Sequence, residues 1–377
     1  RIVETVEVGD FQQADAITPV LDFDRFDDAA GFALDGLGFD SFMVSLPGFA
    51  AGSFVQHYLP GPLMGRVWGS PEYDALYGQI LTLLGQHLQE RGWLDRAYSY
   101  WFDEPEPRDY PFVQQGMQVL AEGSPPIRRL LTEQAEPDLF GYVDIWTPLL
   151  NEWSQTWAAQ RQAAGDEVWW YVCTGPKSPY PNNFIEQSGV GARIRPWMAW
   201  AWNVQGELYW HVNYWTEDQH FVPPDFQDPW QDPMSYSFIV GGDFGNGDGR
   251  LLYPPRAHAD GVTRVEGPTP SIRWELLREG LEDYEYLWML KTLTAQLTQR
   301  GTNPGLITEA LTVLDLPGTL FSSPVEYTQD PGRLAAVRRQ VAGMIEQVQA
   351  ALESEVPDDA PDPEAAVESA EVVELPD

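Results

Sequence analysis

The sequence predicts an α/β fold built on parallel strands, amounting to most of a (β/α)8 TIM-type barrel, and three observations carry that class. Short apolar and aromatic runs alternate with amphipathic stretches along most of the chain, and strands that alternate with helices imply a parallel sheet covered by helices. Six strand–helix units fall within about 260 residues, close to the span such a barrel occupies. No glycine-rich dinucleotide fingerprint follows any strand: Gly241-Gly242-Asp243-Phe244-Gly245 has glycines at the wrong spacing and ahead of a strand. A doubly wound open sheet stays the competing architecture.

The elements follow in order. Ile2–Val8 alternates well enough to be the remnant of a barrel strand. Buried strands are predicted at Phe39–Leu46, Ala97–Phe102, Tyr142–Thr147, Glu167–Cys173, Glu207–Tyr214 and Leu251–Tyr253, each bounded by Gly, Pro or charged residues. Pro71–Arg91 carries Leu76, Ile80, Leu83, Leu84 and Leu88 at helical spacing and stops at Gly92. Helices are also predicted over Asp109–Ala121, Glu152–Ala164, Gln187–Val204 and Ser271–Gln299, the last with Ser271 as N-cap and Gly301 beyond its end. Pro331–Leu352 reads as a C-terminal helix. An intact barrel needs more strands than these and the chain opens on Arg1, so the barrel is expected to be truncated at its N-terminal side. The expected domains are a barrel body over 1–320, a helical segment over 321–353 and a disordered acidic tail over 354–377.

Composition narrows the function. The 377 residues hold 22 Lys and Arg against 57 Asp and Glu, a net charge of −35. Phosphate contacts need clustered Lys and Arg, so nucleic acid and anionic membranes are not expected partners. Ten of the acids, with no base, lie in Glu353–Asp377 beside four prolines, the composition of a solvated tether. No run of 18 apolar residues occurs, so no membrane span is expected. The lone Cys173 excludes an intramolecular disulfide and a cysteine-based zinc site. The five histidines never fall at zinc-ligand spacing, and a faint calcium pattern at Asp243–Asp248 has glycines in two ligand positions. No metal or cofactor is expected.

The chemistry points to one place. Tyr98-Ser99-Tyr100-Trp101-Phe102-Asp103-Glu104-Pro105 runs an aromatic strand into two adjacent carboxyl groups. In a barrel the C-terminal strand ends build the active site, and burial with like-charge repulsion raises one carboxyl pKa while the other group stays ionised. The alternative is that Asp103 caps the next helix and Glu104 solvates a loop. Aromatics crowd the other predicted strand ends, and flat rings with Asn, Asp or His nearby suit the apolar faces and hydroxyl edges of sugars. The substrate-contacting candidates are Tyr100, Asp144, Trp146, Asn182 in the proline-rich loop after Cys173, Trp210, Asn213, Trp215 and Arg273. For each aromatic taken singly, core packing is the competing reading. The charges at Glu275, Arg278, Glu279 and Glu282 suit pairing within one helix.

These residues resemble the catalytic domain of glycoside hydrolase family 123 and its uncharacterised relatives. The resemblance rests on Gly92-Trp93-Leu94-Asp95 and Ala97-Tyr98 leading into Asp103-Glu104-Pro105, on Val143-Asp144-Ile145-Trp146, and on Arg193-Ile194 with Pro196-Trp197. It continues in Gly206-Glu207-Leu208-Tyr209-Trp210 with Asn213 and Trp215, in Gly247-Asp248-Gly249, in Ser271-Ile272-Arg273, and in Gly280-Leu281-Glu282-Asp283-Tyr284-Glu285-Tyr286. It implies a (β/α)8 barrel and a retaining, exo-acting β-N-acetylgalactosaminidase working on a β-linked N-acetylhexosaminide glycan without a cofactor. Glu104 would then be the general acid/base. Asp103 would orient the substrate's 2-acetamido group, whose oxygen attacks the anomeric carbon to give an oxazolinium. A glycosidase of the same fold acting on another sugar, and a non-catalytic carbohydrate-binding protein, are the alternatives. The β-sandwich and first barrel strands that the family carries earlier are expected to lie outside this sequence. A secreted, periplasmic or cell-surface location is expected, with a cytoplasmic one left open.

Overall fold

A computed structural model describes residues 2–3, 18–44, 46, 61–215, 227–237, 242–255, 267–316 and 318–354. The chain gathers into two compact units. One is Arg1–Pro176 with Val204–Trp210, and the other is Lys177–Asn203 with His211–Asp377.

In the first unit, β1 (Ile2–Val3) pairs antiparallel with β2 (Val20–Leu21). Then come α1 (Asp24–Gly31), β3 (Phe42–Met43), α2 (Pro71–Glu90), β4 (Ala97–Tyr100), α3 (Tyr110–Leu120), β5 (Arg128–Leu131), β6 (Ile145–Trp146), α4 (Gln155–Ala163), β7 (Glu167–Val172) and β8 (Gly206–Tyr209). Strands β3 to β8 form one curled, all-parallel, six-stranded sheet, a half-barrel. Their spatial order follows the chain without reversal, whereas a doubly wound sheet reverses at a switch point. The doubly wound alternative is thereby removed.

Two strand expectations are corrected. Leu251–Tyr253 is not a strand of the parallel sheet: Leu252–Tyr253 pairs antiparallel with Thr269–Pro270 in the second unit. The sixth strand of the parallel sheet is instead β5, between β4 and β6, whose Arg-Arg-Leu-Leu sequence carries no strand signal. Ile2–Val3 is likewise outside the parallel sheet, and residues 4–8 of that expected strand lie outside the described residues.

Side chains alternate across the sheet with the strand period of two. On the outer face Trp101, Leu131 and Trp146 join Tyr73, Tyr77, Leu88, Val113 and Met117 from the covering helices. On the inner face Leu130, Ile145 and Trp169 meet Tyr98, Tyr100 and Leu208. Each fully buried large side chain contributes roughly 1.5–3 kcal/mol. Gly116 lets α3 seat against the end of β4, since a Cβ there would lie 2.0 Å from the Trp101 ring and 2.7 Å from Phe102. The two arginines of β5 are neutralised locally: Arg128 pairs with Glu167, and Arg129 forks onto Asp144 at 2.8 and 2.9 Å.

The second unit holds α5 (Val190–Ala201), β9 (Met234–Ser237), β10 (Gly242–Asn246), β11 (Leu252–Tyr253), β12 (Thr269–Pro270), α6 (Ile272–Arg300), α7 (Pro304–Leu314) and α8 (Pro331–Ser354). Helix α6 starts as expected, with Ser271 Oγ accepting from the Trp274 N–H at 3.2 Å, and it stops at Gly301, whose φ of +70° suits glycine. It packs against α5, α7 and α8. Asp283, fully buried, ties three of these helices. It accepts from Arg193 Nε at 2.7 Å and from Trp197 Nε1 at 2.9 Å on α5, and pairs with Arg338 at 3.1 Å on α8. The expected pairing within α6 is present: Arg278 lies 2.7 Å from Glu275 and 3.9 Å from Glu282. Exposed pairs of this kind stabilise by only about 0.3–0.5 kcal/mol. Residues 355–377, the expected tail, lie outside the described residues. Among the described residues no helix is long and apolar enough to cross a membrane.

Candidate active site

The site forms where β4 leaves the sheet. Trp101 and Phe102 are buried and anchor the strand end. Asp103 and Glu104 follow, both half-buried. Glu104 has a φ of +43°, a left-handed backbone that non-glycine residues seldom adopt. Pro105 behind it disfavours the right-handed helical alternative. This turn gives the two neighbouring carboxyl groups different partners. Asp103 does not cap α3: Asp109 accepts the Glu106 N–H at 3.0 Å at that turn.

Asp103 Oδ1 accepts two hydroxyl hydrogen bonds, from Tyr100 Oη at 2.5 Å and from Thr132 Oγ1 at 2.9 Å. Asp103 Oδ2 accepts none from the described residues, so it remains for an external donor. Glu104 Oε1 accepts from Tyr171 Oη, and the Glu104 N–H donates to Thr132 Oγ1 at 2.9 Å. Burial raises the Glu104 carboxyl above its ordinary range, and the neighbouring Asp103 adds to the rise while the Tyr171 hydrogen bond opposes it. Burial and then the Glu104 charge push the Tyr171 phenol far above its usual range, so it stays a donor. Glu133, buried beside Thr132, is pushed up to about 8 by burial and then by Glu136. A carboxyl group whose proton affinity burial raises, next to one that accepts two hydroxyl hydrogen bonds, suits acid–base chemistry.

The other candidates separate. Tyr100 joins Asp103 as described. Trp210 is half-buried and follows β8, at the same C-terminal end of the parallel sheet. Asp144 precedes β6, at the opposite end of the sheet, and its carboxylate is held by Arg129. Trp146 is fully buried on the outer face, its indole N–H donating to Asp166 Oδ2 at 2.7 Å. Neither presents a surface to a ligand at the strand exits, because β6 is only two residues long and the alternation sends Trp146 outward. In the second unit, Asn182 is buried, with Oδ1 accepting the Asn183 N–H at 2.6 Å. Asn213 is exposed, and Trp215 donates to the Leu252 carbonyl at 2.8 Å. Arg273 is buried and donates to the carbonyls of Asn183, Gly247 and Arg250 at 2.6–2.7 Å. It fastens loops, and its guanidinium is occupied by backbone oxygens.

Thr132, Glu133 and Tyr171 were not singled out from sequence as site residues. Tyr171 lay within an expected strand and could have been found by its inward parity. The first two follow β5, a strand whose two arginines hide it in the sequence. Among the described residues no group of three or more His, Cys, Asp or Glu is placed to hold a metal ion.

A half-barrel of parallel strands with two adjacent carboxyl groups at its C-terminal end has the layout of an acid–base enzyme. Residues 64–290, more than half of the chain, match the catalytic domain of glycoside hydrolase 123. The chain belongs to glycoside hydrolase family 123. Among solved structures it is similar to a family 123 glycoside hydrolase from Clostridium perfringens, studied for glycolipid glycan hydrolysis, at 18% identity and a TM-score of 0.48. That similarity covers 76% of this chain and 47% of the other, so the chain spans about half the length of that protein. No curated protein matches the chain.

Proposed function

We propose that this chain carries the catalytic centre of a retaining, exo-acting β-N-acetylgalactosaminidase that uses the substrate's own 2-acetamido group as nucleophile. The half-barrel is then the described part of a (β/α)8 barrel. The observation that carries the reading is the division of partners at Asp103-Glu104. Asp103 has one oxygen saturated by two hydroxyls and one oxygen left to accept, while Glu104 is half-buried, raised in pKa and oriented by Tyr171.

Glu104 gives its proton to the glycosidic oxygen as the C1–O bond breaks. The acetamido carbonyl oxygen attacks C1 from the other face, closing a five-membered oxazolinium. Asp103 Oδ2 accepts the amide N–H and stabilises the positive charge that develops there. Glu104, now ionised, takes a proton from water. That water attacks C1, the ring reopens, and the configuration at C1 is retained. A nucleophile supplied by the substrate removes the need for two carboxylates facing each other across the bond, which suits two adjacent residues on one strand exit.

In the full-length protein, Glu104→Gln should lower kcat/KM on an aryl β-N-acetylgalactosaminide by about 10²–10⁴-fold. Retained activity in that variant sinks the proposal. Turnover confined to aryl glycosides lacking an acetamido group would remove substrate assistance and leave a glycosidase of other specificity.

A further inference from the structure

We infer that Thr132 is the positioning residue that assigns the two carboxyl groups their separate roles, through one hydroxyl shared between Asp103 and the Glu104 backbone. The inference rests on the substrate-assisted reading above.

A hydroxyl has one proton to donate and two lone pairs to accept with. The Glu104 N–H can only donate, so it takes a lone pair of Thr132 Oγ1 at 2.9 Å. Asp103 Oδ1, also 2.9 Å away, takes the hydroxyl proton. Tyr100 Oη lies 3.4 Å from the same Thr132 oxygen but donates instead to Asp103 at 2.5 Å. The two bonds of the clip therefore run in one sense, from the Glu104 N–H into Thr132 Oγ1 and from the Thr132 hydroxyl into Asp103 Oδ1. Thr132 is 4% exposed, so water does not replace these bonds.

Two consequences follow. Both inward donors converge on Oδ1, which turns Oδ2 toward an incoming amide N–H. The strained left-handed turn at Glu104 is pinned from the end of the neighbouring strand, because its N–H is bound to Thr132, the residue that follows β5, and not to its own chain segment. Thr132 stands two residues beyond the Tyr100↔Leu130 pair that ends the parallel register of β4 and β5, so the sheet itself sets the spacing of the clip. It touches both carboxyl-bearing residues without needing to touch the substrate.

The test is a pair of variants of the full-length enzyme, assayed on an aryl β-N-acetylgalactosaminide beside Glu104→Gln. Thr132→Val keeps the shape and deletes the hydroxyl, and should lower kcat by about 10–100-fold, the penalty of misplaced catalytic groups, with KM within about twofold. Thr132→Ser keeps the hydroxyl and should recover kcat to within about threefold. A valine variant with kcat within twofold of wild type, a loss confined to KM, or a serine variant as impaired as valine overturns the inference. Should the valine variant fail to fold by circular dichroism, Thr132→Ala carries the same test without added bulk. Activity surviving in Glu104→Gln indicts the substrate-assisted reading, whereas an inactive Glu104→Gln beside an active Thr132→Val indicts the positioning role alone.

Discussion

Glu133→Gln should make the protein's stability less sensitive to pH. Glu133 sits one residue beyond Thr132 with 8% of its surface exposed, near Glu136, Glu104 and Glu152. Burial first and the acidic neighbours second raise its carboxyl from 4.5 to about 8, against one hydrogen bond from the Gln134 backbone. The folded value lies above the unfolded one, so this group's stabilisation is fully present below about 4.5 and is lost as pH climbs to about 8. The slope in that window is at most about 1.4 kcal/mol per pH unit, and solvent screening at the strand exit reduces the whole to roughly 2–4 kcal/mol. Glutamine fills the same space and never ionises. Thermal melts of both proteins from pH 5 to 9 should nearly coincide at pH 5 and separate near pH 8, glutamine the more stable. A unit of this size shifts about 2–4 °C per kcal/mol. Parallel melting curves across that range would refute the neutral buried Glu133.

Tyr171→Phe removes a donor that favours the ionised Glu104, so the Glu104 carboxyl rises further. A general acid must stay protonated, so the alkaline limb of the kcat/KM profile should move to higher pH; an unmoved or lowered limb counts against Glu104 as the acid. Asp283→Ala leaves Arg193 and Arg338 without their buried carboxylate and should destabilise by about 3–5 kcal/mol, read by urea denaturation. A loss below about 1 kcal/mol would show that Asp283 does not hold α5 and α8 to α6.

Helices α2 to α6 and α8 were legible because their signals are local, whereas α1 and α7, at 8 and 11 residues, were not. Pro71 behind Ser70 starts α2, and Ser271 and Gly301 bracket α6. Strands β4, β6, β7 and β8 were legible from aromatic and apolar runs. Strand β5 was not, because half of Arg128–Leu131 is charged and its arginines are compensated by Glu167 and Asp144, residues far along the chain. Leu251–Tyr253 reads as a buried strand because a short apolar run carries no sign of whether its partner is parallel or antiparallel. The carboxyl pair was legible as Asp-Glu-Pro at a strand exit. Its partners Thr132 and Tyr171 come from two other strands, and only register brings them in. Aromatic density misled at Trp146: a large ring at a strand end suits a core as well as a sugar, and here the pleat turned it outward.

The route of the chain through its two units bears on how such an enzyme can be cut or recombined. Each unit is built from two separate stretches of sequence, and the last strand of the half-barrel, β8, returns only after residues 177–203 have been spent in the other unit. The half-barrel is therefore encoded with an interruption, residues 177–203, that belongs to the other unit. A protease nick at the first crossing leaves β8 covalently attached to the second unit while the sheet still holds it by four paired residues. A gene exchange that moved residues 1–176 alone would deliver Asp103, Glu104, Thr132 and Tyr171 on a sheet whose edge is β7 instead of β8, so the carboxyl cluster and the edge strand of its sheet are inherited at separate places in the sequence.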